Sequence, residues 1–193
     1  MVGKGLLCVL SSPSGGGKTS VIQEILKRKP EYAVSVSATT RPRRGHEING
    51  KDYFFLSEDA FKKAIQKGEF VEWADVHGYL YGTPHASIDS KLKEGKVVLL
   101  DIDVEGGMAI KKLFPDQSLL IFLKPPSVEA LVRRLKGRST ETEAQIKKRL
   151  KRIPMEMAFM EKYDVVIVND DFNRTVQEVI NTIEAHRNRL EVT

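Results

Sequence analysis

Five short apolar runs are spaced along the chain, and segments with helical periodicity separate them. The runs cover residues 6–10, 33–37, 97–102, 119–123 and 165–168 and are rich in Val, Ile or Leu. Runs of this length are typical of strands buried on both faces, and their alternation with helices favours a parallel sheet. The pattern therefore predicts an α/β fold in three layers, with a mostly parallel core sheet packed between helices.

Apolar residues at helical spacing mark the first and last helices. The first predicted helix runs from Lys18 to Lys29 and is stopped by Pro30. The last covers residues 173–189 and presents one apolar stripe to the core. The stripe consists of Val176, Val179, Ile180 and Ile183.

Residues 37–84 interrupt the alternation of strands and helices. They contain the tight-turn signal Asn49-Gly50 between two extended pieces. They also contain a short helix that Ser57 caps and Gly68 ends. We interpret this stretch as a small inserted α+β unit.

Residues 124–162 are strongly charged and helical, and we interpret them as a mobile lid. Thr140 and Glu143 have the spacing of a capping box, and Pro154 is expected to kink or break the helix. One domain over residues 4–187 is thus predicted, with an insertion, a lid and a core. The core comprises residues 1–36, 85–123 and 163–193.

Composition narrows the class of protein. The 193 residues include 31 Lys and Arg against 26 Asp and Glu, a net charge of +5 that permits an anionic partner without naming one. Cys8 is the single cysteine and lies in an apolar run, so a buried structural thiol is expected. No apolar run reaches the roughly 18 residues of a membrane-spanning helix. The sequence predicts a soluble, cytoplasmic protein without a membrane partner.

A glycine-rich loop stands between the first predicted strand and the first helix. It reads Ser-Pro-Ser-Gly-Gly-Gly-Lys-Thr, which in this context favours a nucleoside triphosphate loop, with serine in place of the first glycine. Backbone N–H groups would surround an anion, Lys18 would reach the outer phosphates, and the Thr19 hydroxyl would hold Mg²⁺. The alternative is a flexible turn. The predicted ATP-binding residues are Ser12, Pro13, Ser14, Gly15, Gly16, Gly17, Lys18 and Thr19.

A second basic loop contains Arg41, Arg43 and Arg44. Guanidinium groups pair with phosphate oxygens through two parallel hydrogen bonds, so an anion is expected here. On charge alone, a solvated loop and a nucleic-acid patch remain alternatives.

Several motifs together resemble the guanylate kinases, a family of nucleoside monophosphate kinases with a P-loop NTPase-type fold. The resemblance extends across nearly the whole chain. Residues 37–53 carry Ser-x-Thr-Thr-Arg-Pro-Arg-x-Gly-Glu-x-x-Gly-x-x-Tyr, with His46 inserted before Glu47. Glu-Trp-Ala, Tyr-Gly-Thr and Asp-Ile-Asp-Val follow at residues 72–74, 81–83 and 101–104.

The resemblance implies roles for individual residues. The phosphate of GMP would be held by Arg41, Arg44, Tyr53 and Tyr81. The guanine and its surroundings would be lined by Ser37, Glu72, Thr83 and Asp103. Asn169 would lie near the donor adenine, although such a residue also commonly turns the chain. The catalytic residues would be Lys18 and Arg41 with the lid arginines Arg134, Arg138 and Arg149, which would close over the triphosphate.

Residue chemistry supports a guanine acceptor independently of the resemblance. A carboxylate such as Glu72 can accept from the N1–H and the amino group of guanine, and it would be repelled by the N1 acceptor of adenine. A hydroxyl such as Thr83 can donate to the guanine O6. The alternative for Glu72 is a surface charge beside a core Trp73.

An apolar run ends in Asp101 and Asp103, and the carboxyl end of a strand is where open α/β sheets place ligands. Asp101 is expected to orient Mg²⁺, directly or through water, while Asp103 faces the acceptor. A strand-end turn is the alternative. Glu105 stands where the family more often has glutamine, and its charge would weaken phosphate binding unless it points away or finds a basic partner.

Further cations surround the lid arginines, and we interpret them as a solvated helix face. They are Arg133, Lys136, Lys147, Lys148, Lys151 and Arg152.

The expected activity is Mg²⁺-dependent, reversible transfer of the γ-phosphoryl group of ATP to GMP in purine nucleotide metabolism and GMP recycling. The partners are then small molecules, ATP and GMP with dGMP left open, and not nucleic acid. The protein would be a monomer or a homodimer. A non-catalytic guanylate-kinase-like binding module, a kinase for another nucleoside monophosphate and RNA binding by the lid are the alternatives.

Overall fold

The computed structural model describes residues 5–45, 47–136 and 143–192. The strands in these ranges are β1 (Leu6–Ser11), β2 (Ala33–Val34), β3 (Ala38–Thr39), β4 (Phe54–Phe55), β5 (Phe70–Val76), β6 (Tyr79–Pro84), β7 (Val97–Asp101), β8 (Ser118–Lys124) and β9 (Val165–Val168). The α-helices are α1 (Lys18–Arg28), α2 (Glu58–Gln66), α3 (Asp89–Lys93), α4 (Val104–Leu113), α5 (Val128–Lys136), α6 (Glu143–Ala158) and α7 (Phe172–Val192).

A parallel sheet of five strands forms the centre of the fold, in the order β2-β7-β1-β8-β9. Every residue of β1 is buried, as expected for a strand covered on both faces. The prediction of a parallel core sheet is confirmed. Because β1 is central, the loop after Ser11 emerges between the carboxyl ends of β7 and β8, where open α/β sheets bind ligands.

Alternate residues of the sheet enter two separate hydrophobic clusters. On one face, Leu6, Cys8 and Leu10 pack with residues of α1 and α7, including all four residues of the predicted apolar stripe. On the other face, Leu7 and Val9 pack with residues of α4. Burial raises the pKa of the Cys8 thiol well above its usual range, so this cysteine is structural, as the sequence predicts.

A second, mixed sheet of four strands lies within residues 38–84, in the order β4-β3-β6-β5. Helix α2 packs on it through Phe61, whose ring stacks on Phe70 with centroids 4.4 Å apart. The Ser57 side chain accepts a hydrogen bond from Ala60 N, and Gly68 comes after the helix with φ 67°, so both predicted helix signals are confirmed.

Some predicted boundaries are wrong. The run at 33–37 forms core strand only at Ala33–Val34, because the chain then leaves the core sheet to begin β3 in the second one. The Asn49-Gly50 turn exists, with φ 79° at Gly50, but it joins no hairpin, since β4 pairs with β3 in parallel.

Within the described part of the charged segment 124–162, α5 and α6 are helical, as predicted, although Lys124 still belongs to β8. Pro154 lies inside α6 and does not break it, since the helix continues to Ala158. The predicted capping residue Thr140, like His46 and Arg138, lies outside the described residues. None of the helices within the described ranges is long and apolar enough to cross a membrane.

The stripe on α7 gives a prediction for stability. Ile183 is fully buried against the core sheet, so Ile183→Ala should lower the free energy of unfolding by about 2–5 kcal/mol through lost burial and the cavity left behind. Urea unfolding followed by circular dichroism measures this change. The exposed Gln177→Ala on the same helix is the control and should shift the value by less than about 0.5 kcal/mol. Equal effects would mean that α7 does not pack as described.

Candidate active site

The glycine-rich loop connects the end of β1 to the first turn of α1. Gly15 and Gly17 have φ values of 86° and 93°, a region that residues with a Cβ rarely adopt. A Cβ on Gly17 would also lie 2.9 Å from the Asn169 amide nitrogen. These residues bring the backbone of the loop to the N-terminus of α1, which favours an anion.

Lys18, Thr19 and Asp101 lie together at the start of α1. The Thr19 hydroxyl donates to Asp101 Oδ2 at 2.5 Å, and Lys18 Nζ lies 3.8 Å from Asp101 Oδ1. Hydroxyl and carboxylate oxygens are the protein ligands that Mg²⁺ accepts, usually in small number beside phosphate oxygens and water. The arrangement fits such an ion. Within the described ranges, no group of three or more His, Cys, Asp or Glu residues is placed to hold a metal ion.

Arg134 and Asn169 contact the loop at Gly16. The Asn169 side-chain amide donates to Gly16 O at 2.6 Å, and Arg134 donates to Gly16 O at 3.4 Å and to Asn169 O at 3.0 Å. Gly15, Gly17, Arg134 and Asn169, with Phe172, line a cavity of about 290 Å³. The sequence-based site prediction included Gly15, Gly17, Arg134 and Asn169 but not Ser20, Asp170 or Phe172, which also line this cavity.

Helix α6 reaches the loop through Ser14. Arg149 Nη1 donates to Ser14 Oγ at 2.6 Å, while Ser14 N donates to Glu156 Oε2 at 3.3 Å. Glu156 is buried, and burial raises the pKa of its carboxyl, although the Ser14 N–H and the charge of Lys18 oppose that rise. Sequence reasoning missed Glu156, because nothing local distinguishes it from other charged residues of α6.

A buried acid and a hydroxyl lie on paired strands of the small sheet. Thr83 on β6 donates from Oγ1 to Glu72 Oε1 on β5 at 2.5 Å. Burial is the largest influence on Glu72 and raises its pKa to about 7, with a smaller contribution from Asp103 and opposition from the Thr83 hydroxyl. The alternative of a surface Glu72 beside a core Trp73 is wrong, since Glu72 is buried and Trp73 is 50% exposed.

Asp103 links this pair to the core sheet. Its Oδ1 accepts from Gly106 N at 2.9 Å and so caps the N-terminus of α4. A Cβ on Gly106 would lie 2.8 Å from Glu72 Oε2, so the glycine allows α4 to approach the buried acid closely. Asp101 and Asp103 therefore face two different neighbours from one strand end.

Arg41 is the centre of a buried polar cluster. Its guanidinium donates to Glu47 Oε1 at 2.7 Å and Oε2 at 3.0 Å, and its Nε donates to the Tyr81 hydroxyl at 3.2 Å. It also lies 5.4 Å from the centre of the Tyr53 ring. Partial burial opposes ionisation of Glu47, but hydrogen bonds from Arg41 and Arg44 N hold the pKa of that carboxyl below its usual value.

Glu47 was part of the motif, yet sequence reasoning gave it no role. Ser37 precedes Arg41 in the sequence and is buried. Its backbone carbonyl accepts a hydrogen bond from Phe54 N. The structure thus brings Arg41, Tyr53 and Tyr81 together. It also pairs Glu72 with Thr83, and Asp103 lies near Glu72 beside Gly106. Arg138 lies outside the described residues.

The assignment of Arg152 to a solvated helix face is wrong. Its side chain is only 22% exposed and lies 3.4 Å from Glu105 and 3.8 Å from Asp103. Helical periodicity alone does not distinguish it from Lys151, whose side chain is exposed. Arg152 differs from Lys151 because it contacts Glu105 of α4, a helix that is distant in sequence.

The glycine-rich loop lies at the N-terminus of α1, where two arginines contact it, and the buried acid Glu72 lies in a second polar site nearby. This arrangement is that of a P-loop nucleotide phosphotransferase. The guanylate kinase family model matches residues 4–186. Guanylate kinases of Thermotoga maritima and Clostridioides difficile are 44% and 42% identical, covering 97% and 98% of this chain and 90% and 92% of theirs. The chain belongs to the guanylate kinase family.

A solved structure agrees with this assignment. The crystal structure of guanylate kinase from Anaplasma phagocytophilum superimposes with a TM-score of 0.79 at 32% sequence identity, covering 95% of this chain and 87% of that one. The P-loop NTPase-type fold expected from the sequence is therefore confirmed.

Burial of Glu72 makes stability depend on pH. Its pKa is about 7 in the folded chain against 4.5 as the ordinary value, so the folded state binds the proton more tightly. The resulting stability is present below about pH 4.5 and is lost as the pH rises through 7. Between pH 4.5 and 7, the free energy of unfolding of the wild type should fall by about 3 kcal/mol relative to that of Glu72→Gln, because glutamine does not titrate.

Urea unfolding at a series of pH values measures this difference. Glu69→Gln, at an exposed position near the start of β5, is the matched control. Parallel pH profiles for the wild type and Glu72→Gln would contradict the burial of an ionisable Glu72.

Proposed function

We propose that the chain transfers the γ-phosphoryl group of ATP reversibly to GMP, giving ADP and GDP, through the residues assembled at the end of β7. The observation that carries this proposal is the placement of Asp101 and Asp103. Asp101 contacts the phosphate loop through Thr19, and Asp103 lies beside Gly106 and the buried Glu72. Two nucleotides bound to these neighbours would meet between them.

Glu72 and Thr83 supply the chemistry for selecting guanine. As a carboxylate, Glu72 would accept from guanine N1–H and the amino group, while Thr83 would turn its hydroxyl from Glu72 to the guanine O6. Ser37 and Asp103 would complete the surroundings of the base. A site with buried polar groups that pair only with the right base can discriminate by roughly 10⁴–10⁵.

Arg41 is the centre of the acceptor phosphate site. The Arg41 guanidinium donates two hydrogen bonds to Glu47, and its Nε donates to the Tyr81 hydroxyl. These bonds fix the position of the positive charge before a ligand binds. We assign the phosphate of GMP to Arg41, Arg44, Tyr53 and Tyr81. Fixed donors of this kind orient an anion without the reorganisation that water would need.

The donor would bind on the loop from Ser12 to Thr19. Arg134 and Asn169 line the cavity next to Gly15 and Gly17, which suits the adenosine end of ATP. Arg149 from α6 already contacts Ser14 and would reach the outer phosphates. Arg138 is assigned with these arginines on sequence grounds.

No strong catalytic base is required for this reaction. The acceptor is a phosphate oxygen whose second pKa is about 6, so it is largely ionised at neutral pH. Lys18 and the arginines would therefore serve mainly to align two anions and offset their repulsion. Thr19 and Asp101 would hold Mg²⁺, which when bound would neutralise charge on the donor phosphates.

The three-part organisation follows from these assignments. Residues 37–84 would carry the acceptor, residues 124–162 would cover the donor, and the remaining residues would form the core. Closure of the outer parts over both nucleotides would exclude water and limit hydrolysis of ATP. The intact contacts of Lys18 and Thr19 support turnover rather than a non-catalytic binding module.

Substitutions at the two ends of the site should affect activity differently. Glu72→Ala should lose the preference for GMP over AMP, UMP and dTMP by roughly 10²-fold or more, because the base loses its acceptor. Lys18→Ala should lower turnover with every acceptor by roughly 10²-fold or more. A coupled assay of ADP formation measures both, with Glu69→Ala as the exposed control. Retained GMP preference in Glu72→Ala, or ADP formed equally fast without an acceptor, would contradict the proposal.

Removal of the metal gives a separate test. Excess EDTA should abolish turnover, and added Mg²⁺ should restore it. Thr19→Val should raise the Mg²⁺ concentration needed for half-maximal activity, because the hydroxyl next to Asp101 is lost. Full turnover in EDTA would count against a metal at this position.

A further inference from the structure

Arg152 on α6 is surrounded by three carboxylates from two helices and the turn between β7 and α4. Its guanidinium nitrogens lie 3.4 Å from Glu105 Oε2, 3.8 Å from Asp103 Oδ2 and 3.8 Å from Glu156 Oε1. We call Asp103, Glu105 and Glu156 the acidic triad. One arginine thus faces three acids.

Arg152 Nη2 donates one long hydrogen bond to Glu105 Oε2 at 3.4 Å, and its contacts with Asp103 and Glu156 are ion pairs without a hydrogen bond. Among the described residues, buried Arg152 Nε and Asp103 Oδ2 have no hydrogen-bond partner. The Asp103 and Glu156 side chains are 17% and 5% exposed, so water screens their charges only weakly. By contrast, the side chain of Glu105 is 50% exposed. Arg152 therefore offsets acidic charge more than it fixes geometry.

The acidic triad lies where nucleotide phosphates would approach. Glu156 accepts from Ser14 N of the phosphate loop, and Asp103 lies beside Glu72 in the acceptor site. Without a counter-charge, three carboxylates at this place would repel the phosphates of both nucleotides. Glu105 adds a third negative charge to that repulsion.

We propose that Arg152 is a positioning residue that neutralises the acidic triad, and that full nucleotide affinity depends on Arg152 because of the charge of Glu105. This inference rests on the proposed function, since it assumes two nucleotides bound on either side of Arg152. Arg152 should affect the binding of both substrates, because the acidic triad borders both nucleotide sites.

A simple latch between α6 and α4 is the competing explanation. If the Arg152–Glu105 ion pair only held the helices together, loss of either partner would break it equally. The variants Arg152→Gln, Glu105→Gln and their combination would then behave alike. Neutralisation of charge instead predicts opposite effects for the two single variants and a rescue in the double variant.

The test combines calorimetric dissociation constants for ATP and for GMP with kcat and KM from ADP formation. Arg152→Gln should weaken binding of each nucleotide about tenfold, as expected for loss of one charge several ångströms away in a partly screened site. Adding Glu105→Gln should recover at least about threefold of that loss. Glu105→Gln alone should tighten binding, and Arg152→Lys should stay within about threefold of the wild type.

Lys151→Gln is the matched control, because it removes one positive charge from the exposed face of the same helix. It should leave both dissociation constants unchanged. Thermal unfolding of every variant separates a folding defect from a binding defect. If Arg152→Gln does not fold, Glu105→Gln alone distinguishes the two explanations. A latch predicts weaker nucleotide binding by Glu105→Gln, and charge neutralisation predicts tighter binding.

Two results would overturn the inference. One is equal weakening in both single variants and the double variant, and the other is wild-type affinity in Arg152→Gln. Failure of the proposed function is distinguishable, because it would appear as absence of GMP-dependent ADP formation by the wild type. The calorimetric comparison of ATP binding would still test Arg152 in that case.

Discussion

The parallel pairing of β1 with β7 is the constraint on which both halves of the site depend. It sets Leu10 opposite Asp101, so the phosphate loop after β1 and the acidic turn after β7 leave the sheet side by side. Asp101 at the end of β7 contacts Thr19, and Asp103 in the following turn caps α4 near Glu72. A slip of one residue in this register would turn the alternating side chains to the wrong faces and separate these groups.

Two buried charged side chains of the site, Arg41 and Glu72, have hydrogen-bond partners close by. Glu47 holds Arg41 within one loop, whereas Thr83 holds Glu72 across two strands. An unpaired buried charge lowers the stability of the fold, so Glu47 and Thr83 stabilise Arg41 and Glu72 before a nucleotide binds. The same pairing keeps the groups oriented for a ligand, which links stability of the small sheet to recognition.

The sequence was informative where function depends on neighbouring residues. The phosphate loop, the helix capped by Ser57 and the apolar stripe of α7 each follow from spacing within a short segment. Contacts between distant segments were beyond that reasoning. Arg152 lies on a helix with many cations, and only the approach of Asp103 and Glu105 distinguishes it. Likewise, Glu47 was visible in a motif, but its two bonds to Arg41 required the folded loop.

Trp73 stands next to Glu72 on β5, and successive side chains of a strand point to opposite faces. The indole is therefore half exposed on the outer surface of the small sheet, behind the acid that lines the inner one. It is also the chain's single tryptophan. The molecule consequently contains one tryptophan fluorophore, whose emission reports solvent contact on the face of β5 opposite Glu72 without any attached dye.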